Sequence, residues 1–200
     1  MHWLNISHIV EATEAEGPGL RFVIWVQGCL KRCKGCCNGE LLKIKPAHLM
    51  RSNEIIQLLK NATEKYPLEG LTFLGGEPFL QAEGLADIAE AAHNLNLSVM
   101  VFSGYEYTEL SENKFSGSKR LLNSTDLLID GEFDNTQIET TRNWVGSTNQ
   151  KFHYLTNRYS DGIETQELSV TNEWRVDSCN NIQSNGLPIK FIHINLIALK

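Results

Sequence analysis

From Arg21 to Phe133, short apolar runs alternate with segments of helical periodicity, and this alternation restricts the fold more than any other feature of the chain. RFVIWVQG (21–28) reads as a buried strand, and GLTFLGG (70–76), LSVMVFSG (97–104) and TDLLIDGEF (125–133) read as three more. Between them, SNEIIQLLKNATEKY (52–66) places Ile55, Ile56, Leu58 and Leu59 at helix spacing, with Ser52 expected as its N-cap. LQAEGLADIAEAAHNLN (80–96) is a second helix with Leu85, Ile88, Ala89 and Ala92 on one face, and a short helix is expected before the fourth strand. Such an order predicts an α/β fold with a mostly parallel sheet and helices packed outside it. A complete eight-unit barrel takes about 250 residues. The chain has 200, so an incomplete, open (βα) barrel is the better fit. Beyond about residue 150 the texture changes, and KFHYLTNRY, ELSVTNEWRV and FIHINLIAL read as extra strands near the C-terminus. One domain over 1–200 is expected, with a motif-bearing core at 16–150 and a C-terminal extension, 151–200, packed on it.

Charge and cysteine usage narrow the function. The net charge is −6 and no long basic run occurs, so the footprint of a nucleic-acid binder is missing. MHWLNISHIVEATEAEG has no apolar stretch of signal-peptide length and no segment reads as bilayer-spanning, so a cytoplasmic protein is expected. There, the cluster Cys29, Cys33, Cys36 and Cys37 favours metal or redox chemistry over disulfides.

In parallel α/β folds functional groups collect where the strands end. The cysteine loop GCLKRCKGCCNGE (28–40) follows the first of these strands, GGEP (75–78) the second, SGY (103–105) the third and DGEF (130–133) the fourth. If the strands are parallel neighbours, all four motifs meet on one rim. Cys29, Cys33 and Cys36 are spaced to wrap three corners of a cubane iron–sulfur cluster, leaving one iron open to a small molecule. A zinc site remains an alternative, although it wants four ligands and no second CxxC exists. A dithiol pair, Cys33 with Cys36, is a third. In GGEP, Gly75 and Gly76 would let a ligand approach the backbone, and the Glu77 carboxylate would suit an ammonium group.

CxxxCxxC after one strand and GGEP after the next resembles the radical S-adenosylmethionine superfamily. GPGLR, GCLKRCKGCCN, LGGEPF, SGYEYTEL, LLIDGEF and WVGSTNQ stand in the order and approximate spacing of the anaerobic ribonucleotide reductase activating proteins, small activases of glycyl-radical enzymes. The resemblance covers about residues 16 to 150. It implies a [4Fe–4S] cluster on Cys29, Cys33 and Cys36, with the open iron taking the amino and carboxylate groups of S-adenosylmethionine. One electron, from a flavodoxin- or ferredoxin-type donor, would cleave the sulfonium to methionine and a 5′-deoxyadenosyl radical, which would leave a glycyl radical on a partner enzyme. Gly35, Cys36 and Cys37 would border the cofactor, Gly75, Gly76 and Glu77 would hold its methionine moiety, and Ser103 and Asp130 would be further contacts.

This chain departs from the family pattern at Cys37, where an aromatic residue is common and where a small filler is expected, and at Glu132, where many relatives carry a lysine. Cys179 is isolated and reads as structural, and histidines 2, 8, 48, 93, 153 and 193 show no ligand spacing. The stretch Trp144, Gly146, Ser147, Asn149 and Gln150 reads either as a plain loop or as one facing cofactor or substrate. Three classes of function stay open: activation of a glycyl-radical enzyme, radical chemistry on another substrate, and a non-enzymatic iron–sulfur or zinc module.

Overall fold

The computed structural model describes residues 1–167, 172–176 and 182–186. Seven strands form one sheet: β1 (Trp3–Thr13), β2 (Arg21–Val26), β3 (His48–Arg51), β4 (Gly70–Gly75), β5 (Ser98–Phe102), β6 (Leu127–Asp130) and β7 (Lys151–Tyr154). Their spatial order is β3-β1-β2-β4-β5-β6-β7. The central β2, β4, β5 and β6 run parallel, as the alternation predicts. Their crossovers carry α1 (Ser52–Lys65), α2 (Ala82–Asn94) and the short pair α3 (Tyr107–Ser111) and α4 (Ser118–Asn123). The outer strands β1, β3 and β7 are antiparallel to their neighbours. A separate antiparallel hairpin, β8 (Asn172–Val176) and β9 (Ile182–Gly186), follows.

Strand parity divides the apolar residues between two faces. Phe22, Ile24 and Val26 of β2, with Leu71 and Phe73 of β4, pack against Ile55 and Leu59 of α1 and Leu85 and Ile88 of α2. Val23 and Trp25 of β2 and Leu74 of β4 point the other way and form a smaller cluster. Met100 of β5 and Leu127 and Ile129 of β6 continue that second face against Trp144 and Val145. Among the described residues the α-helices cover the first face, and the second is covered only in part, by Trp144, Val145 and short 3₁₀ turns that carry Leu41 and Ile163. The rest of the second face is left for a cavity.

Two strands were not foreseen. β1 carries register shifts between Ile6 and His8 and between Val10 and Thr13, which break the period of two that marks a strand in sequence. β3 is mostly exposed and so has no apolar signature. Ser52 is the first helical residue of α1, not its cap: the Glu54 carboxylate accepts from the Arg51 N–H at 2.6 Å, and the Ser52 hydroxyl donates to Asp87 at 2.7 Å. The second helix opens as a 3₁₀ turn, Pro78–Gln81, before α2 begins. FIHINLIAL, Cys179 and His193 lie outside the described residues. Among the described residues no helix is long and apolar enough to cross a membrane.

Candidate iron–sulfur site

The loops after β2, β4, β5 and β6 do converge, the last of them through Gly131 and Phe133 of DGEF. They border a cavity of about 1440 Å³ on the second face of the sheet, lined by Cys29, Cys33, Gly35, Cys36, Cys37, Gly75, Gly76, Glu77 and Ser103. Trp25, Leu74 and Phe102 supply its apolar floor from the strands below.

The cysteine loop is shaped by its backbone. The Gly28 N–H donates to the Leu41 carbonyl at 2.8 Å and the Cys29 N–H to Leu42 at 3.2 Å, which anchors the start of the loop. The Cys36 N–H donates to the Cys33 carbonyl at 3.2 Å while Gly35 sits at φ 78°, the left-handed conformation that this kind of turn needs at its third residue. The turn brings Cys33 and Cys36 back to the same wall as Cys29. Cys29 is buried, Cys33 and Cys36 are half-buried and Cys37 is exposed. Burial raises the Cys29 and Cys33 thiols, and the negative charge of Cys36 raises both further, so the three sulfurs feel one another. The neighbouring Cys37 thiol lowers Cys36, and Cys36 in turn, with burial, raises Cys37. Among the described residues no three His, Cys, Asp or Glu side chains are gathered closely enough to hold a single metal ion. A cubane places a different iron at each thiolate, so its ligands stand wider apart than those around one zinc. Three soft donors on one wall of a roomy cavity fit the cluster.

GGEP borders the cavity, as expected of a rim motif, and also has a structural role. A Cβ on Gly76 would lie 2.2 Å from the Gly28 carbonyl oxygen, and one on Gly75, at φ 113°, 2.6 Å from the Val26 nitrogen. Both glycines let the ends of β2 and β4 close backbone to backbone while still bordering the cavity. Glu77 is almost wholly buried. Its carboxylate accepts from the Phe79 N–H at 3.0 Å, the Ser103 hydroxyl at 3.0 Å and the Gly104 N–H at 2.9 Å. Burial pushes the carboxyl up to about 7 against the pull of these bonds. Glu77 and Ser103 thus form a strut between the ends of β4 and β5.

Asp130 stands apart from the main cavity. Its carboxylate accepts from the Tyr107 N–H at 2.5 Å, at the start of α3. His153 Nε2 lies 2.9 Å from the same oxygen, Oδ2, without a hydrogen bond to it, and Asp130 Oδ1 and His153 Nε2 are both buried with no hydrogen-bond partner among the described residues. Asp130 borders instead a smaller cavity of about 370 Å³, shared with Lys31 and Glu132. There Glu132 pairs with Lys31 at 2.8 Å, and the Lys31 ammonium stands 4.3 Å above the Tyr105 ring. Trp144, Gly146 and Gln150 of the polar loop do reach the main cavity, whereas Ser147 and Asn149 are not among its lining. Glu16, also on the wall, was not singled out beforehand; burial raises its carboxyl to about 7. Its place beside GPGLR was the available signal.

Residues 15–153 match the family model described as a 4Fe-4S single cluster domain. The chain belongs to this 4Fe-4S family. The match takes in the cysteine loop and all four strand-end motifs and stops within β7. Proteins named anaerobic ribonucleoside-triphosphate reductase-activating protein are similar to it. That of Vibrio cholerae is 30% identical over 161 residues, 76% of this chain and 99% of the relative. That of Haemophilus influenzae is 31% identical over 144 residues, 68% of this chain and 89% of the relative. That of phage T4 is 26% identical over 152 residues, 74% of this chain and 92% of the relative. The alignments with the Vibrio cholerae and phage T4 proteins take in nearly the whole of each relative, while about a quarter of this chain falls outside each of them.

Proposed function

We propose that the chain is a radical S-adenosylmethionine enzyme that activates an anaerobic ribonucleotide reductase by installing a glycyl radical. The observation that carries this reading is the convergence of Cys29, Cys33 and Cys36 on one cavity wall, inside the segment that matches the 4Fe-4S family. The reductase is named as target by the names of the relatives. We read the open sheet as an incomplete barrel of the radical S-adenosylmethionine type and the chain as one domain, working in the cytoplasm with a flavodoxin- or ferredoxin-type electron donor.

Cys29, Cys33 and Cys36 would hold a [4Fe–4S] cluster and leave its fourth iron for the amino and carboxylate groups of S-adenosylmethionine. When bound, this pair supplies one-electron cleavage of the sulfonium to methionine and, once hydrogen has moved from a partner glycine, 5′-deoxyadenosine and a glycyl radical. The chain's own residues shape the place where that happens. Gly75 and Gly76 bring the ends of β2 and β4 together, so the cysteine loop is registered against the rim. The Glu77–Ser103 strut fixes the next strand end, which makes Glu77 a positioning residue whose carboxylate is already engaged by protein donors. Trp25, Leu74 and Phe102 give a dry floor that limits water at the reacting atoms. Cys37 is exposed beside the third thiol, and we read it as a small neighbour of the site and not as a fourth ligand.

Anaerobic reconstitution with iron and sulfide, then reduction in the presence of S-adenosylmethionine and the reductase, tests this. Loss of 5′-deoxyadenosine and of the glycyl-radical signal on Cys29→Ala, Cys33→Ala or Cys36→Ala, with both retained in Cys37→Ala, is the expected result. A chain that takes up zinc instead, with no cluster absorbance and no cofactor cleavage, would sink the reading.

A further inference from the structure

The β8–β9 hairpin lies beyond the end of the family match, yet it forms part of the wall around the thiols. Two antiparallel strands rarely hold together alone in water, and this pair is held by its polar face. The Glu173 carboxylate accepts from the Glu14 N–H at 2.9 Å, and Arg175 donates to the Ala12 carbonyl at 3.3 Å. Asn185 donates to the Thr13 hydroxyl at 3.0 Å, and the Gly186 N–H donates to Glu16 at 2.7 Å. These contacts seat the hairpin on the end of β1 and on the loop that carries Glu16.

Strand parity then decides what the opposite face shows. Trp174 pairs with Ser184 and Val176 with Ile182, so all four side chains stand on the face turned away from Glu173 and Arg175. Trp174 is 57% exposed, Val176 64% and Ile182 65%. Trp174 and Ser184 also line the cavity. Trp174 and Ser184 therefore belong both to the cavity wall and to the solvent-facing side that carries Val176 and Ile182. The two-stranded sheet has no third strand among the described residues, so its outer edges offer backbone groups as well.

We propose that the apolar face of the β8–β9 hairpin docks an extended, apolar segment of the protein substrate beside the glycine that enters the cavity. The inference rests on the activase reading, because that reaction brings a protein backbone to the thiol cavity. A surface that shares Trp174 and Ser184 with the cavity wall is where the flanking chain must pass. A single glycine carries no side chain to recognise, so selection of the right polypeptide falls to the residues around it. An apolar strip whose outer edges carry no third strand among the described residues suits such a segment, reading alternate side chains while its backbone pairs.

Hydrogen–deuterium exchange on the cluster-loaded chain, with and without its own anaerobic ribonucleotide reductase, tests the docking directly. Protection of amides in 172–176 and 182–186 on adding the reductase is expected. Val176→Ser with Ile182→Ser should raise the reductase concentration needed for half-maximal glycyl-radical formation by about tenfold, the loss usual for removing central apolar contacts, while the maximal rate changes little. Reductase binding with the hairpin amides unprotected would overturn this inference and leave the activase reading standing. Protection of the outward-facing amides already present in the chain alone, beyond that of the ladder between the two strands, would also overturn it: if it rises with concentration the strip is covered by a second copy, and if it disappears on truncation after Gly186 by residues 187–200. No engagement of the reductase at all would overturn both readings together.

Discussion

Arg21 is fully buried, and no carboxylate pairs with it among the described residues. Its guanidinium is satisfied instead by neutral acceptors: Thr72 Oγ1 at 2.7 Å, the Pro18 carbonyl at 2.9 Å, the Leu71 carbonyl at 2.8 Å, and the Ser98 and Tyr159 hydroxyls at 3.1 Å each. Thr72 passes the connection on, its hydroxyl donating to the Glu16 carbonyl at 2.9 Å. One side chain therefore ties β2, β4, β5 and the GPG loop to the residue that borders the cavity. A lysine keeps the charge but loses the planar fork. Arg21→Lys should cost about 3 kcal/mol, since several hydrogen bonds to a buried cation are lost together. Urea denaturation of the two chains would measure it, and a difference below about 1 kcal/mol would mean that the network rearranges freely. Read as sequence, Arg21 was only a loop residue entering a strand. Nothing in its neighbours announces a buried cation, because its partners come from residues 18, 71, 72, 98 and 159, which only the folded sheet gathers.

Between elements, Asp87 of α2 does comparable work in the helix layer. It accepts from the Ser52 hydroxyl of α1 at 2.7 Å, pairs with Arg120 of α4 at 2.8 Å and with His2 at 2.9 Å. Partial burial alone would raise its carboxyl, but the bonds from Ser52, His2 and Arg120 outweigh it and hold the group down at about 2. A carboxyl held below its unfolded value binds fewer protons in the native state. Its stabilisation is complete above the unfolded value near 4 and is lost as pH falls toward 2. About 2 kcal/mol is at stake over that window. Asp87→Asn should flatten the fall in stability between pH 4.5 and 2.5, read from urea melts of the cluster-free chain; an unchanged slope would place the acid sensitivity elsewhere. The elements joined here were largely legible. α1, α2, β4 and β5 announce themselves by regular apolar spacing and end within about two residues of their expected bounds, the 3₁₀ start of the second helix apart. β1 did not, because its bulges spoil the alternation, although it contributes Leu4 and Ile6 to the core. The clamp itself was invisible, since Ser52 looks like an ordinary cap until Asp87 is seen beside it.

At the scale of the molecule, one face of the sheet is a filled helix-packed core and the other a cavity edged by loops. The rim could be anticipated, because a parallel sheet sends the ends of consecutive strands to one side, and the cysteine, GGEP, SGY and DGEF loops do meet there. Asp130 is the exception: its backbone is at the rim, but its side chain is drawn toward the start of α3. Glu16 and the hairpin were not anticipated, because they reach the wall from distant parts of the sequence. This division of the molecule also separates two kinds of stability. The core owes nothing to the cysteines, apart from Cys29, whereas residues 27–38 form no helix or strand and rest on a few backbone hydrogen bonds. Iron should therefore govern the loop and not the fold, in contrast to small metal domains that unfold without their ion. Arg32 and Lys34, both exposed between the first and third cysteines, provide the probe. Stripping iron with a chelator should leave the far-ultraviolet dichroism and the cooperative melt in place, yet trypsin should then cut after Arg32 or Lys34 at least about tenfold faster than in the loaded chain, as expected when binding suppresses local opening. Loss of the whole dichroism signal on chelation would show instead that the cluster holds the sheet together, and that the helix-packed face cannot stand without the thiol wall opposite it.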